Sequence, residues 1–152
     1  MAQVIVSETK VIRITNNKNG LFRELDFYKF TTDDVLKMIV KYKIKKAIFH
    51  WYSGKIGTLN QILRYGYYFS INESMCKSKK GQNIISKLPK DRVLIETDAP
   101  FIKDVLPYKN YYVYSYLSNL WKLNIDEIIN LIHTNFNQLK EFKNNRNNLL
   151  NF

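Results

Sequence analysis

From residue 31 to residue 142 the chain alternates short apolar runs with stretches of helical spacing, and this alternation constrains the fold most. Ala47-Ile48-Phe49, ending at His50, follows Lys45-Lys46 and reads as a buried strand. Tyr67-Tyr68-Phe69-Ser70-Ile71 and Val93-Leu94-Ile95-Glu96 read as two more. Thr31 and Thr32 precede Asp33-Asp34, a helix start with acids in its first turn. Val35, Met38, Ile39 and Tyr42 then keep the i, i+3, i+4, i+7 spacing of one helical face. Ile56, Leu59, Ile62 and Leu63 mark the next helix, stopped by Gly66. Residues 79–88 make a third, with Ile84, Ile85 and Leu88, which Pro89 ends. A loop carrying Pro100 and Pro107 leads to a helix with Val113, Tyr116, Leu117, Leu120 and Trp121 on one face. Asn124, with Glu127 three residues on, opens a helix over Ile125–Ile132. A last helix is predicted from Asn135, packing Phe136, Leu139 and Phe142.

Strands alternating with helices imply parallel βαβ units. The strands are apolar throughout, as expected when both faces of a sheet are covered. The predicted class is α/β, either a small doubly wound sheet or part of a (β/α) barrel. Ahead of this unit, QVIVSETKVIRI over residues 3–14 reads as strand or hairpin, and residues 25–30 as another short strand. The chain therefore divides into an N-terminal strand segment (1–30), the α/β unit (31–142) and a polar tail (143–152) rich in asparagine.

Composition narrows the function. A chain of 152 residues with 45% hydrophobic content is one globular domain's worth and not a disordered one. Its single cysteine, Cys76, excludes a disulfide framework and a CxxC zinc ribbon. No apolar stretch is long enough to span a membrane, and the first residues lack the pattern of a secretory signal, so the expected compartment is the cytosol. Lys and Arg total 24 against 13 Asp and Glu, a net charge of +11. That balance suits an anionic partner, nucleic acid above all. A solvated Lys-rich surface accounts for it equally.

Two polar groups stand just past predicted strand ends, where βα architecture places catalysis. One is His50, in Ile48-Phe49-His50-Trp51-Tyr52-Ser53-Gly54, and the other is Asp98, in Leu94-Ile95-Glu96-Thr97-Asp98-Ala99-Pro100. A His and a carboxylate converging at a barrel mouth can ligate a divalent metal. Taken singly, each also has a plain reading, a structural histidine and a turn-forming aspartate.

Their combination is far more specific. His50-Trp51-Tyr52-Ser53-Gly54, then Gly66-Tyr67-Tyr68-Phe69-Ser70, then Asp91-Arg92-Val93-Leu94-Ile95-Glu96-Thr97-Asp98-Ala99-Pro100 resembles the TatD family of metal-dependent DNases. In that family an H-x-F-S-G segment follows one strand, and the last barrel strand reads D-R-L-L-x-E-T-D-A-P. Order and spacing agree across residues 33–142, and Thr134-Asn135-Phe136-Asn137-Gln138-Leu139 looks like the family's closing helix. The resemblance implies a TIM-like barrel, a divalent metal (Mg, Mn or Zn) at the strand ends, and hydrolysis of DNA phosphodiesters. It implies His50 as metal ligand, and Asp98 as ligand and base toward the attacking water. Glu96, two residues before Asp98 on the same strand, points to the same side. It is a supporting group or one half of a structural ion pair. Ser53-Gly54 would make the turn beside the site. Trp51 and Tyr52 stand where the family has a smaller residue and Phe. They would either stack on a base or fill the barrel rim.

The departures matter as much. The family's metal site draws on an H-x-H pair, a bridging Glu, two later histidines and the final Asp. Here the only histidines are His50 and His133, with no H-x-H. His133 falls in the helical C-terminal region and reads as a surface or packing residue. Arg23-Glu24-Leu25-Asp26-Phe27-Tyr28 faintly resembles the family's G-E-x-G-L-D-Y-Y strand, which would make Glu24 the bridging carboxylate, but its glycines are absent. A full barrel takes about 250 residues, so the expectation is a partial barrel with the N-terminal strands in place of the missing half. Its exposed edge would then be covered by those strands, by a second copy or by a companion chain. Two ligands cannot rebuild a two-metal clamp, so the lone chain is expected to be a weak nuclease or inactive. The alternative is a non-catalytic basic half-barrel that binds nucleic acid or a protein.

Overall fold

A computed structural model of the chain describes residues 2–6, 12–16, 31–97 and 110–140. Asp98, Glu24, the strand expected over 25–30 and the tail over 143–152 lie outside them. Five strands form one sheet: β1 (Ala2–Val6), β2 (Ile12–Asn16), β3 (Ala47–His50), β4 (Tyr68–Ile71) and β5 (Val93–Ile95), in the order β2-β1-β3-β4-β5. β3, β4 and β5 are parallel, as the alternation requires. β1 adds in parallel to β3, with Val4 opposite Ala47 and Val6 opposite Phe49, and β2 closes antiparallel on β1. The N-terminal strands thus cover the β3 edge, as expected from the hazard of leaving it bare.

The helices are α1 (Thr32–Lys41), α2 (Ile56–Arg64), α3 (Glu73–Lys77), α4 (Lys79–Ile85), α5 (Tyr111–Trp121) and α6 (Ile125–Lys140), with a 3-10 turn at Lys90–Arg92. α1 starts where its sequence says. Thr31 and Asp34 make a reciprocal capping box, the Thr31 hydroxyl accepting from the Asp34 N–H at 3.3 Å and the Asp34 carboxylate accepting from the Thr31 N–H at 3.0 Å. α2 ends at Gly66, whose φ of +72° is the left-handed conformation that glycine adopts without strain. α3 escaped the sequence reading. At five residues it is too short to show a period, and its signal is one residue, Asn72, whose side-chain oxygen accepts from the Met75 N–H at 3.0 Å.

The predicted break between Ile132 and Asn135 does not occur, and α6 is continuous. Asn135 reads in sequence as the start of a last helix. In the fold the Asn135 amide is buried mid-helix and donates to the carbonyls of Lys90 and Val93, both at 2.8 Å. These bonds tie the middle of α6 to the segment that leads into β5. The true cap is Asn124: its side-chain oxygen accepts from the Glu127 N–H at 2.8 Å, and Glu127 accepts from the Asn124 N–H at 2.7 Å.

Register then sorts the strand residues. In parallel pairs, residues opposite one another point to the same side. Ala47, Phe49, Phe69, Ile71 and Val93 fall on the face covered by helices, in one buried cluster with Val35, Leu59, Ile62, Val113, Leu117 and Ile128. Phe49 and Phe69 lie 5.7 Å apart between ring centroids, and Tyr52 meets Phe69 edge-on at 5.4 Å. Truncating either Phe to Ala would cost about 3–5 kcal/mol. Ile48, His50, Tyr68, Ser70 and Leu94 fall on the opposite face. There Tyr68 and Leu94 bury against Leu139 of α6, with Ile48 packed beside them. No described helix is long and apolar enough to cross a membrane.

Candidate active site

The second sheet face changes character along the strands. Its amino end is apolar and closed by α6, while its carboxyl end is polar. His50 ends β3 and lies opposite Ser70 of β4. One step beyond the last pair of β4 and β5, the Glu96 N–H donates to the Ile71 carbonyl at 3.0 Å, so Glu96 continues the ladder on the same face. Parity alone brings His50, Ser70 and Glu96 together, with Asn72 next along.

Their hydrogen bonds are mutually consistent. One Glu96 oxygen, Oε2, is in contact with both His50 Nδ1 and Ser70 Oγ, and Ser70 Oγ lies 3.5 Å from His50 Nδ1. The other oxygen, Oε1, accepts from Asn72 Nδ2 at 3.5 Å. An ionised carboxylate only accepts, so the proton on this side of the imidazole belongs on Nδ1. The lone pair of the neutral ring is then on Nε2. Carboxylate-oriented imidazoles of this kind are how proteins present Nε2 to a metal. The pair sits in a partly shielded place, with side-chain exposure of 24% for His50 and 16% for Glu96.

The chain turns sharply after His50. Trp51 adopts φ +45°, unusual for a non-glycine residue, and its N–H donates to the Ser70 carbonyl at 3.3 Å. The turn sends the next two side chains to different places. Trp51 is at the surface, 38% exposed, whereas Tyr52 is 2% exposed in the aromatic core, its hydroxyl donating to the Lys55 carbonyl at 2.6 Å. Gly54 is required beside it, because a Cβ there would lie 2.5 Å from the Tyr52 hydroxyl oxygen. Ser53 is half-buried in this turn.

A cavity of about 490 Å³ opens over the site. His50, Ser70 and Glu96 form its polar floor, and Tyr114 of α5 with Ile129, His133 and Phe136 of α6 form its wall. Ser53 and Tyr52 are not among its lining residues. In sequence His133 reads as a surface or packing residue. It is exposed, and it also faces the cavity that holds His50, a placement only the course of α6 reveals. Ser70 and Asn72 were likewise missed as site residues. Their one signal, a Ser two positions before an Asn on the strand after His50, becomes legible only once the β3–β4 register is known. Among the described residues, no three His, Cys, Asp or Glu side chains converge as a metal cage would require. The described donors therefore fit one oriented imidazole position, not a complete metal centre.

Comparison with known proteins agrees with this architecture. A family model described as TatD related DNase matches residues 26–141. A 3'-5' ssDNA/RNA exonuclease TatD of Enterobacter lignolyticus is 30% identical over 70 residues, which is 43% of this chain and 27% of that protein. A metal-dependent hydrolase of Buchnera aphidicola is 26% identical over 126 residues, covering 71% of this chain and 45% of the other. Among solved structures, a TatD homologue of Escherichia coli superposes with a TM-score of 0.63 at 22% identity, over 73% of this chain and 47% of that one. The chain spans less than half the length of these relatives.

Proposed function

The chain belongs to the TatD-related DNase family, and from that premise we propose that it is built for metal-assisted hydrolysis of nucleic-acid phosphodiesters, with His50 and Asp98 as its own metal ligands. The observation that carries the reading is the His50–Glu96 contact at the carboxyl ends of β3 and β5. A divalent ion bound there (Mg, Mn or Zn) would polarise a phosphoryl oxygen and lower the pKa of a bound water. The chain's own residues do the positioning. Glu96 holds the proton of His50 on Nδ1 and so leaves the ring's lone pair on Nε2. Ser70 and Asn72 fix the two Glu96 oxygens in turn. Asp98, two residues beyond Glu96, takes the roles of ligand and water-orienting base. Trp51, exposed at the turn after His50, would stack on a base, whereas Tyr52 supports the turn from the core. Ser53 belongs to the same turn.

One imidazole and one carboxylate leave most metal positions to water, so these 152 residues alone are a weak nuclease or an inactive one. Further donors would come from a second copy or from a companion chain that completes the barrel. The ligand shortfall favours one second reading, a non-catalytic basic half-barrel that binds nucleic acid. In either reading we assign the chain to the cytosol, an assignment supported by its lone, buried cysteine.

Calorimetric titration with Mg²⁺, Mn²⁺ and Zn²⁺ separates the two. Binding of one ion per chain, lost in both His50→Ala and Asp98→Ala, supports the metallohydrolase reading. Absence of binding, or binding indifferent to both substitutions, overturns it and leaves the binding module.

A further inference from the structure

A second concavity lies on the other side of the sheet, between α1 and α2. Its volume is about 720 Å³, and Lys37, Lys41, Lys55, Thr58, Gln61 and Tyr65 are among its lining residues. α1 leads into β3 and α2 leaves it, so the two helices flank the strand that carries His50. Lys55 stands at the start of α2, five residues after His50, and Tyr65 just past its end. The groove therefore begins near the carboxyl end of β3 and follows α2 for about 15 Å.

Its chemistry is one-sided. Three ammonium groups from two elements face it, against one carboxylate, Asp33, which accepts from the Thr58 hydroxyl at 2.6 Å. The nearby Asp34 serves the Thr31 capping box and offsets part of the Lys37 charge, which leaves the groove net positive. At the far end Tyr65 is 52% exposed and stacks on Tyr67, ring centroids 5.8 Å apart and planes 21° from parallel. An ordinary solvated helix face carries lysines on a convex surface mixed with acids. Here they converge on a hollow that ends in an open aromatic ring. Cations along a groove and an aromatic ring for a base are the two parts of a single-strand binding track.

We propose that the α1–α2 groove holds the backbone of a single-stranded nucleic acid, with Lys37, Lys41 and Lys55 on phosphates and Tyr65 stacked on a base. The inference rests on a nucleic-acid substrate but not on the metal centre, so it is tested in EDTA, where hydrolysis plays no part.

The probe is a fluorescent oligothymidylate, its anisotropy followed across a series of salt concentrations with the full chain. Replacing Lys37, Lys41 and Lys55 together by Ala is expected to lower the slope of log affinity against log salt by about 2, since each phosphate contact on a single strand contributes roughly 0.7. Removing the same charge from α4 and its end, with Lys79, Lys80 and Lys87 all changed to Ala, is expected to leave most of the slope in place. Tyr65→Ala should weaken the oligonucleotide about tenfold, within the range for one stacked base, and leave inorganic polyphosphate binding unchanged. All seven side chains are exposed, so the variants keep the fold. Equal losses from the two lysine triples, or no oligonucleotide binding by the wild type, overturn the groove. Equal loss of polyphosphate with Tyr65→Ala overturns its assignment to nucleic acid. The metal titration stands or falls separately.

Discussion

Glu96→Gln is the most informative single change, because it removes one charge and alters almost no volume. In the native site both Glu96 oxygens accept: Oε2 from His50 and Ser70, Oε1 from Asn72. A glutamine replaces one of these acceptors with a donor amide. If its oxygen stays toward His50 and Ser70, the amide meets Asn72 Nδ2 head-on. Asn72 cannot turn its own oxygen to relieve this, since that oxygen accepts from the Met75 N–H and caps α3. If the glutamine flips, its amide faces the Nδ1 proton of His50 and drives the ring toward the other tautomer, with the proton on Nε2. Either way, charge-assisted bonds become neutral ones, and the half-shielded site loses about 1–3 kcal/mol of stability. Loss of an orienting carboxylate typically weakens a metal by about 10- to 100-fold, or roughly 1.4–2.8 kcal/mol. Urea denaturation reads the first effect and metal calorimetry the second. Nitrogen chemical shifts of the labelled imidazole read the tautomer directly, with no metal present. A variant whose His50 keeps its proton on Nδ1 and binds metal as tightly as wild type would refute the positioning role of Glu96.

The remaining predictions concern the frame. Asn135→Ala leaves the Lys90 and Val93 carbonyls without their amide donor and should cost about 2–4 kcal/mol in urea denaturation. Gly81→Ala would place a Cβ 2.2 Å from the Met75 carbonyl oxygen. That atom is backbone and cannot swing away, so α3 and α4 must part and thermal stability should drop by the equivalent of about 1–3 kcal/mol. The Thr31 hydroxyl, with help from the Thr31 N–H, holds the Asp34 carboxyl below its usual value. Its contribution is therefore complete above the unfolded-state pKa and is lost as pH falls through the lower folded value. Asp34→Asn should flatten the acid limb of the stability profile, and an unchanged limb would sink this assignment. Burial pushes the Cys76 thiol up to about 12, so a thiol reagent at neutral pH should label it only at the rate of unfolding. Fast labelling of folded protein would contradict that burial.

The strand–helix alternation was legible because each element carries its own local signal: the Thr31–Asp34 box, Gly66 after α2, the Asn124–Glu127 pair before α6. His50 and Glu96 were legible because they sit in motif-bearing segments just past apolar runs. What stayed hidden depends on relations between elements. Ser70 joins the site through a strand register that no local pattern encodes. The helix start expected at Asn135 fails, and the cavity-facing side of the exposed His133 stays hidden, for one reason: both residues lie on a helix whose two sides meet different parts of the sheet. Asn135 looks like a helix start until the Lys90 and Val93 carbonyls are known to face it, and the same docking brings the exposed His133 over the His50 cavity. α3 is too short to declare a period, and only its cap residue could have announced it.

The path of α6 also limits how this half-barrel can be completed. Leu139 buries against Tyr68 and Leu94 at the amino end of the inner face, and Lys46 reaches across to the last carbonyls of the helix, the one on Leu139 at 2.7 Å. Ile129, His133 and Phe136 then wall the cavity further along, with Ile129 and Phe136 still 44% and 46% exposed. The helix thus occupies part of the space that opposing strands fill in a closed barrel. Displacing it would break the Asn135 bonds, uncover Leu139 and cost several kcal/mol. Any further metal donors would then have to approach His50 from above the strand ends, over Trp51 and Glu96. A partner that docked there would cover the open apolar wall of α6 without unfolding anything. Substituting Phe136 by Asp would weaken such docking while leaving the His50–Glu96 contact intact, so the assembled complex and the isolated metal site would respond differently to the same mutation.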